Sequence, residues 1–189
     1  MERQTRTSDD GMKIPNKPPP PHGSEEERRD LLAVIRQYKN RKVPEALQEA
    51  CDKSILSIFE MYLGGKDLPY DEKLHKRVHQ GLGDVIISLK EHYDRDRPSA
   101  TAERYGIEWT GDDLSSAETP SYPSGHTIQA FVHGVLLGRK FPQHAEDFLS
   151  IAEMISQSRI DRGVHFPTDV DFGRQVAYLI VRELIDGSA

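Results

Sequence analysis

Residues 122–127 read Tyr-Pro-Ser-Gly-His-Thr, "YPSGHT", and an apolar run, "IQAFVHGVLLG", follows at 128–138. The Pro and Gly punctuate a turn, and the run behind them has the length of a helix. A helix N-terminus presents unpaired N–H groups and partial positive charge, so it binds phosphate readily. Two readings follow. Ser124 is a plain helix cap, or Ser124, Gly125 and His126 face an anion. Gly125 lets a backbone approach an anion closely. The Ser124 hydroxyl can donate to it, and His126 can carry a proton at the same place.

Bulk properties narrow the choice. The chain has 189 residues, which favours one domain with a sizeable core. Net charge is −6, so nucleic acid is not expected as a partner. No apolar stretch approaches the ~18–20 residues of a membrane span, and membrane insertion is not expected. Cys51 is the only cysteine, which rules out an internal disulfide. The N-terminus as written lacks an apolar signal region. A cytoplasmic location is expected, or a periplasmic or secreted one if the N-terminus is trimmed.

Residues 1–23 are polar and end in the tract Pro18–Pro21, so they are read as a tail that straps onto a helical domain at 24–189. Ser24 with Glu27 opens a helix through about Tyr38. A helix is expected from Pro44 until Gly64-Gly65 stops it, and another from about Tyr70 to Tyr93. Residues 98–122, rich in Pro, Gly, Ser and Asp, read as a loop. Helices are expected at about 126–140, 144–160 and 167–186. No strand alternation persists, so the fold class is all-α, a compact helical bundle. A loop as long as 98–122 usually serves a site.

Two further blocks speak for an anion. In "KEHYDRDRP", Lys90 and Arg97 are seven apart, close to two helical turns, and would repel each other without an anion between them. The alternative is a basic helix end that complements the dipole. In "SRIDRGVHFPTD", Arg159 offers a planar fork that matches phosphate. His165 precedes Asp169 by four, and a carboxylate on one ring nitrogen leaves the other as a basic lone pair. A plain His–Asp capping pair is the alternative.

Together, "K-x6-R-P", "P-S-G-H" and "S-R-x5-H-x3-D" resemble the signature of the phosphatidic acid phosphatase type 2 superfamily, also called the vanadium haloperoxidase-like fold. Lys90, Arg97, Pro98, Pro123, Ser124, Gly125, His126, Ser158, Arg159, His165 and Asp169 carry it. "YPSGHT" and "DVDFGR" look most like bacterial class A non-specific acid phosphatases. The resemblance implies an acid phosphatase for small soluble phosphomonoesters that needs no metal and no cofactor. His165 would be the nucleophile, His126 the acid for the leaving oxygen, and Asp169 the residue orienting His165. Lys90, Arg97, Ser124, Gly125 and Arg159 would hold the phosphoryl oxygens. A homo-oligomer is possible. Alternatives on the same fold are a pyrophosphatase or phosphotransferase and a vanadate-dependent haloperoxidase. A phosphate-binding scaffold is the non-enzymatic one. Three features depart from the class A pattern: Asp161 with Arg162, Ser99 after Arg97-Pro98, and the missing signal peptide.

Several other residues resemble sites without adding up to one. His75 and His79 have zinc-helix spacing but lack a Glu between them and an evident third ligand, so an exposed helix face is expected. Asp94 and Asp96 are expected to pair locally with Arg95 and Arg97. His92 is expected on the helix surface, His133 as a satisfied core histidine, and Cys51 as packing.

Overall fold

The structure, a computed structural model, describes residues 5–7, 13–112 and 114–187. Several of its helices begin where a short polar residue caps them. Ahead of α1 (Glu25–Lys39), Ser24 Oγ accepts the Glu27 N–H at 3.1 Å. The Glu27 carboxylate reaches back to the Gly23 N–H at 2.9 Å, one residue before the position a capping box uses. The single helix expected after Pro44 is two, α2 (Glu45–Lys53) and α3 (Ile55–Gly65). Ser54 between them is extended, and its hydroxyl accepts the Ser57 N–H at 3.2 Å. It therefore ends one helix and caps the next.

Helix α4 (Glu72–Tyr93) stops at Asp94, which is left-handed with φ 44°. The expected loop at 98–122 contains a short helix, α5 (Pro98–Arg104), with Pro98 in its first turn where the missing N–H costs nothing. Helices α6 (Gly125–Lys140), α7 (Ala145–Asp161) and α8 (Pro167–Asp186) follow close to their expected bounds. Two short strands were not foreseen: β1 (Thr5–Thr7) pairs antiparallel with β2 (Lys13–Pro15).

Helix α6 is the central element, packed along α7 and α8 and also touched by α3 and α4. Gly173 of α8 permits one of these approaches. A Cβ there would lie 3.0 Å from Ser124 O and 3.2 Å from Thr127 Cβ, so any side chain would push α8 off the start of α6. The main core buries Phe59, Phe131, Phe148 and Phe172 completely or nearly so, at about 1.5–3 kcal/mol each. A smaller cluster joins Leu31, Val34, Ala102, Ile160, Phe166 and Val170 from α1, α5, α7 and α8. Phe166 and Val170 sit in the small cluster, Phe172 and Val176 in the large one. The first turns of α8, with Asp169 among them, are thus pinned between two cores.

The tail straps across this end of the bundle over residues 14–21. Ile14 is buried. The Lys17 N–H donates to Tyr93 Oη at 3.1 Å, and Tyr122 Oη donates to Lys17 O at 2.7 Å. The Tyr122 ring stacks on Phe172 with centroids 4.9 Å apart. The first residue of YPSGHT is therefore held by both the strap and the core. Among the described residues, no helix is long and apolar enough to cross a membrane.

Candidate active site

The segment between α7 and α8 places His165 directly before Phe166-Pro167, and the start of α8 brings Asp169 one turn further on. His165 Nδ1 lies 3.1 Å from Asp169 Oδ2. Arg97 Nη1 lies 3.1 Å from His165 Nε2. A guanidinium can only donate, so Nε2 is the acceptor and Nδ1 carries the proton toward the carboxylate. Burial pushes the His165 pKa well below its usual value, the Arg97 charge adds to this, and Asp169 opposes it. The ring is a neutral base with its lone pair aimed at a cation.

Asp169 is fully buried and well supplied with donors. Oδ2 also accepts the Phe166 N–H at 2.8 Å and Ser121 Oγ–H at 2.5 Å, and Oδ1 accepts Arg95 Nη1 at 2.6 Å. Burial acts to raise its pKa, but Arg95, His165 and Ser121 outweigh it and hold the carboxyl far below the usual range. Asp169 stays ionised at any working pH.

Three cations crowd the same place. Lys90 arrives from the last turn of α4, Arg97 from the N-cap of α5 and Arg159 from the last turn of α7. Lys90 Nζ donates to Pro120 O at 2.5 Å. Arg97 is braced by Thr119 O at 2.8 Å and Val164 O at 2.7 Å. Arg159 is completely buried, and its Nη1 meets Asp52 Oδ1 at 2.9 Å. Burial, with the Arg97 charge second, pushes Lys90 down to about 7. Burial also lowers Arg97 to about 10, with Arg159 contributing. Burial is the main cause of both shifts and repulsion between the cations adds to it, so an anion among them would relieve the cluster.

The start of α6 completes the group. The Ser124 N–H donates to Asp169 O at 3.1 Å, tying the beginnings of α6 and α8 together. Ser124 Oγ accepts from the Thr127 N–H at 3.3 Å and from Thr127 Oγ1–H at 3.0 Å. Both readings of Ser124 are therefore compatible: it caps α6 as an acceptor, and its own O–H is not used in those two contacts. A Cβ on Gly125 would fall 3.1 Å from Ile86 and 3.7 Å from Lys90 Cε, so glycine keeps the way to the lysine clear. His126 is lowered to about 3 by burial and then by Arg159, with Asp52 favouring its charged form. All eight residues nominated from sequence thus come together at one end of the bundle.

Sequence reasoning missed the residues behind and beside them. Arg95 is not an exposed partner of its acidic neighbours; it turns inward and is 3% exposed. It bonds Asp169, Asp30 Oδ2 at 2.8 Å and Thr168 Oγ1 at 2.7 Å, while Asp96 pairs with Arg104 instead. Asp52, on a helix far away in sequence, had no motif to announce it. Asp161 and Arg162 have structural employment. Asp161 Oδ2 accepts the N–H groups of Lys42 and Val43 at 2.7 and 2.8 Å, which fixes the link between α1 and α2. Arg162 pairs with Asp112 at 3.0 Å.

The expected exposed face at His75 and His79 is also corrected. His75 is buried, and its Nδ1 lies 2.9 Å from His133 Nδ1. His79 Nδ1 lies 3.3 Å from His133 Nε2. The third histidine comes from α6, which the spacing on α4 could not reveal. His133 offers opposite ring nitrogens to its two neighbours, so the three do not converge on one point. Among the described residues no group of three or more ligating side chains is placed to hold a metal ion. His92 is exposed and Cys51 is buried, as expected. Burial raises the Cys51 thiol, so it is not an activated nucleophile.

Comparison with known proteins fits this geometry. The family model described as the PAP2 superfamily matches residues 80–186, which include all eight nominated residues. The chain belongs to the PAP2 superfamily. A non-specific acid phosphatase of Providencia stuartii is 35% identical over 115 residues, covering 59% of this chain and 45% of that protein. A non-specific acid phosphatase of Salmonella typhi is 29% identical over 170 residues, covering 84% and 68%. The chain thus spans between about half and two thirds of the length of these two relatives. Among solved structures, a transmembrane PAP2 type phosphatidylglycerolphosphate phosphatase from Bacillus subtilis has a TM-score of 0.57 at 21% identity, covering 88% of this chain and 87% of that one. That likeness is one of fold.

Proposed function

We propose that this PAP2 protein is an acid phosphatase that hydrolyses small soluble phosphomonoesters through a phosphohistidine, without a metal ion. The observation that carries the reading is the pair of contacts on His165: Asp169 on Nδ1 and Arg97 on Nε2. A phosphoryl oxygen arriving between the cations would take the Arg97 N–H, and the Nε2 lone pair would then face phosphorus. Nε2 forms the N–P bond while the P–O ester bond breaks. The leaving oxygen takes the proton of His126, and the alcohol departs. Neutral His126 next takes a proton from water, the hydroxide attacks phosphorus, and the N–P bond breaks to give inorganic phosphate and the starting histidines.

Lys90, Arg97 and Arg159 stabilise the equatorial oxygens, where phosphoryl transfer gathers charge. Burial and the neighbouring cations lower His126 to about 3, which keeps it neutral at working pH. A bound phosphate supplies negative charge that raises it toward the protonated form an acid needs. Substrate binding therefore takes up a proton, and activity belongs on the acidic side. Above pH 7 the Lys90 charge is lost as well.

The name of the Bacillus relative concerns a lipid phosphate. The proposal here is a small soluble ester, since none of the described helices of this chain could cross a membrane. The test is turnover of nitrophenyl phosphate in excess chelator, with vanadate as a phosphate mimic. Undiminished turnover that vanadate inhibits is expected. Activity that chelator abolishes and added magnesium or zinc restores would overturn the metal-free mechanism.

A further inference from the structure

Behind the nucleophile lies a second layer of charge that the mechanism above does not use. Arg95 and Asp30 are both buried, and neither is a fixed position of the three sequence blocks. Their contacts form a line that alternates in sign. Asp30 Oδ2 accepts Arg95 Nη2 at 2.8 Å, and Arg95 Nη1 meets Asp169 Oδ1 at 2.6 Å. Asp169 Oδ2 in turn meets His165 Nδ1 at 3.1 Å. Thr168 braces the joint: its hydroxyl accepts Arg95 Nη1 at 2.7 Å and donates to Asp30. The guanidinium also lies 3.7 Å over the ring of Phe166, the neighbour of His165 in sequence, which fixes its plane. The Arg95 carbonyl accepts the Ser121 N–H at 2.8 Å, and Ser121 Oγ itself bonds Asp169.

We propose that Asp30 and Arg95 are positioning residues of the reaction, a buried chain Asp30–Arg95–Asp169–His165 that keeps the proton on Nδ1 and the lone pair on Nε2 of His165. The inference rests on the reading of His165 as the nucleophile. A lone carboxylate beside an imidazole in a dry site would favour imidazolium, and a protonated His165 cannot attack phosphorus. Arg95 takes up part of the Asp169 charge, so Asp169 holds the tautomer without holding a second proton on the ring. Asp30 works in the opposite sense by taking up part of the Arg95 charge. The other charged groups that act on His165 are Arg97 before α5 and Lys90 from the last turn of α4. Burial pushes the carboxyl of Asp30 up, consistent with a charge maintained only by its partners.

The test is the pH profile of kcat/KM on nitrophenyl phosphate for the full chain and three variants, with His165→Ala as the control for the nucleophile. Protonation of His165 sets the acidic limb. Arg95→Gln should move that limb to higher pH by about one unit, the size of one charge acting at several ångströms through a partly screened interior. It should also lower kcat/KM about ten- to a hundredfold, by analogy with the loss of a partner that orients a metal-bound histidine. Arg95→Lys should keep the wild-type limb, and Asp30→Asn should place it at or below wild type. A folded Arg95→Gln whose limb stays put overturns the proposal. So does an Asp30→Asn limb that moves upward, whether or not Arg95→Gln folds. A chain that turns over with His165→Ala, or a wild type with no turnover, defeats the nucleophile assignment itself. Loss in His165→Ala with limbs that do not move defeats only the chain.

Discussion

Two groups of buried and half-buried histidines lie in this molecule, and they keep different company. His126 and His165 stand among Lys90, Arg97 and Arg159, with one carboxylate fixed on His165 Nδ1. His75, His79 and His133 stand among one another, with Tyr70 stacked on His75 and Phe59 beside His133. Burial lowers the pKa in both groups, and both His126 and His133 reach about 3. The shift alone therefore does not mark a site. What differs is the company. A carboxylate on one nitrogen and a cation on the other make the two ends of His165 unequal, and this inequality aims a lone pair. His133 has an imidazole at each end, so it only satisfies two donor and acceptor positions inside the core.

The sharpest way to break the comparison is to delete one histidine from each group. His165→Ala should lose about four orders of magnitude or more in kcat, as removal of a covalent nucleophile does. His133→Gln should leave kcat nearly unchanged. Comparable losses in the two variants, with both proteins folded, would erase the distinction. Next in size are the cations. Arg97→Ala or Arg159→Ala should lower kcat/KM by about two to three orders of magnitude, the cost of one strong transition-state donor at about 2.7–4 kcal/mol. Near-wild-type kcat/KM in either variant would remove that residue from the phosphate grip.

The second group predicts a stability effect. His133 has a folded pKa of about 3 against an ordinary 6.5, so the unfolded chain binds the extra proton between those values. Stability must then fall as pH drops below about 6.5, by about 2 kcal/mol from this residue by pH 5. Melting curves of His133→Gln should show correspondingly less acid sensitivity than wild type. An equal acid dependence would mean that His133 is solvated or charged in the fold. The smallest effect concerns ligand binding. Sulfate, whose own charge is constant over this range, should inhibit more weakly as pH rises through 7, by up to about tenfold per unit, because Lys90 with a pKa of about 7 gives up its proton there. Inhibition that does not change from pH 6 to 8 would exclude Lys90 from the anion site.

The meeting of the eight nominated residues was readable because they are concentrated in three short blocks. Each block lies at a helix end, where spacing and capping rules say which way a residue faces. The layer around it was not readable. Asp52 and Asp30 reach Arg159 and Arg95 across 107 and 65 residues of chain, and no local pattern records such meetings. His133 met His75 in the same way, over 58 residues. The helices were legible from capping residues and apolar spacing, with two instructive misses. Ser54 divides an otherwise continuous helical pattern because its hydroxyl can cap a new start. Helix α5 forms from "PSATAER" because Pro98 suits a first turn and Ala and Glu favour helix, while the Gly- and Asp-rich residues after it hid that local preference.

The central claim is that His165, not His126, attacks phosphorus. The most direct test uses His126→Ala, which should still accept phosphate from nitrophenyl phosphate, since nitrophenolate departs with little help from an acid. Without His126 to activate water, the intermediate should accumulate. Rapid mixing, an alkaline quench that spares the acid-labile N–P bond, and peptide mapping by mass spectrometry would locate the group. The account predicts phosphate on His165. Phosphate on any other residue, or steady turnover by this variant with no phosphorylated peptide at any time, would contradict it.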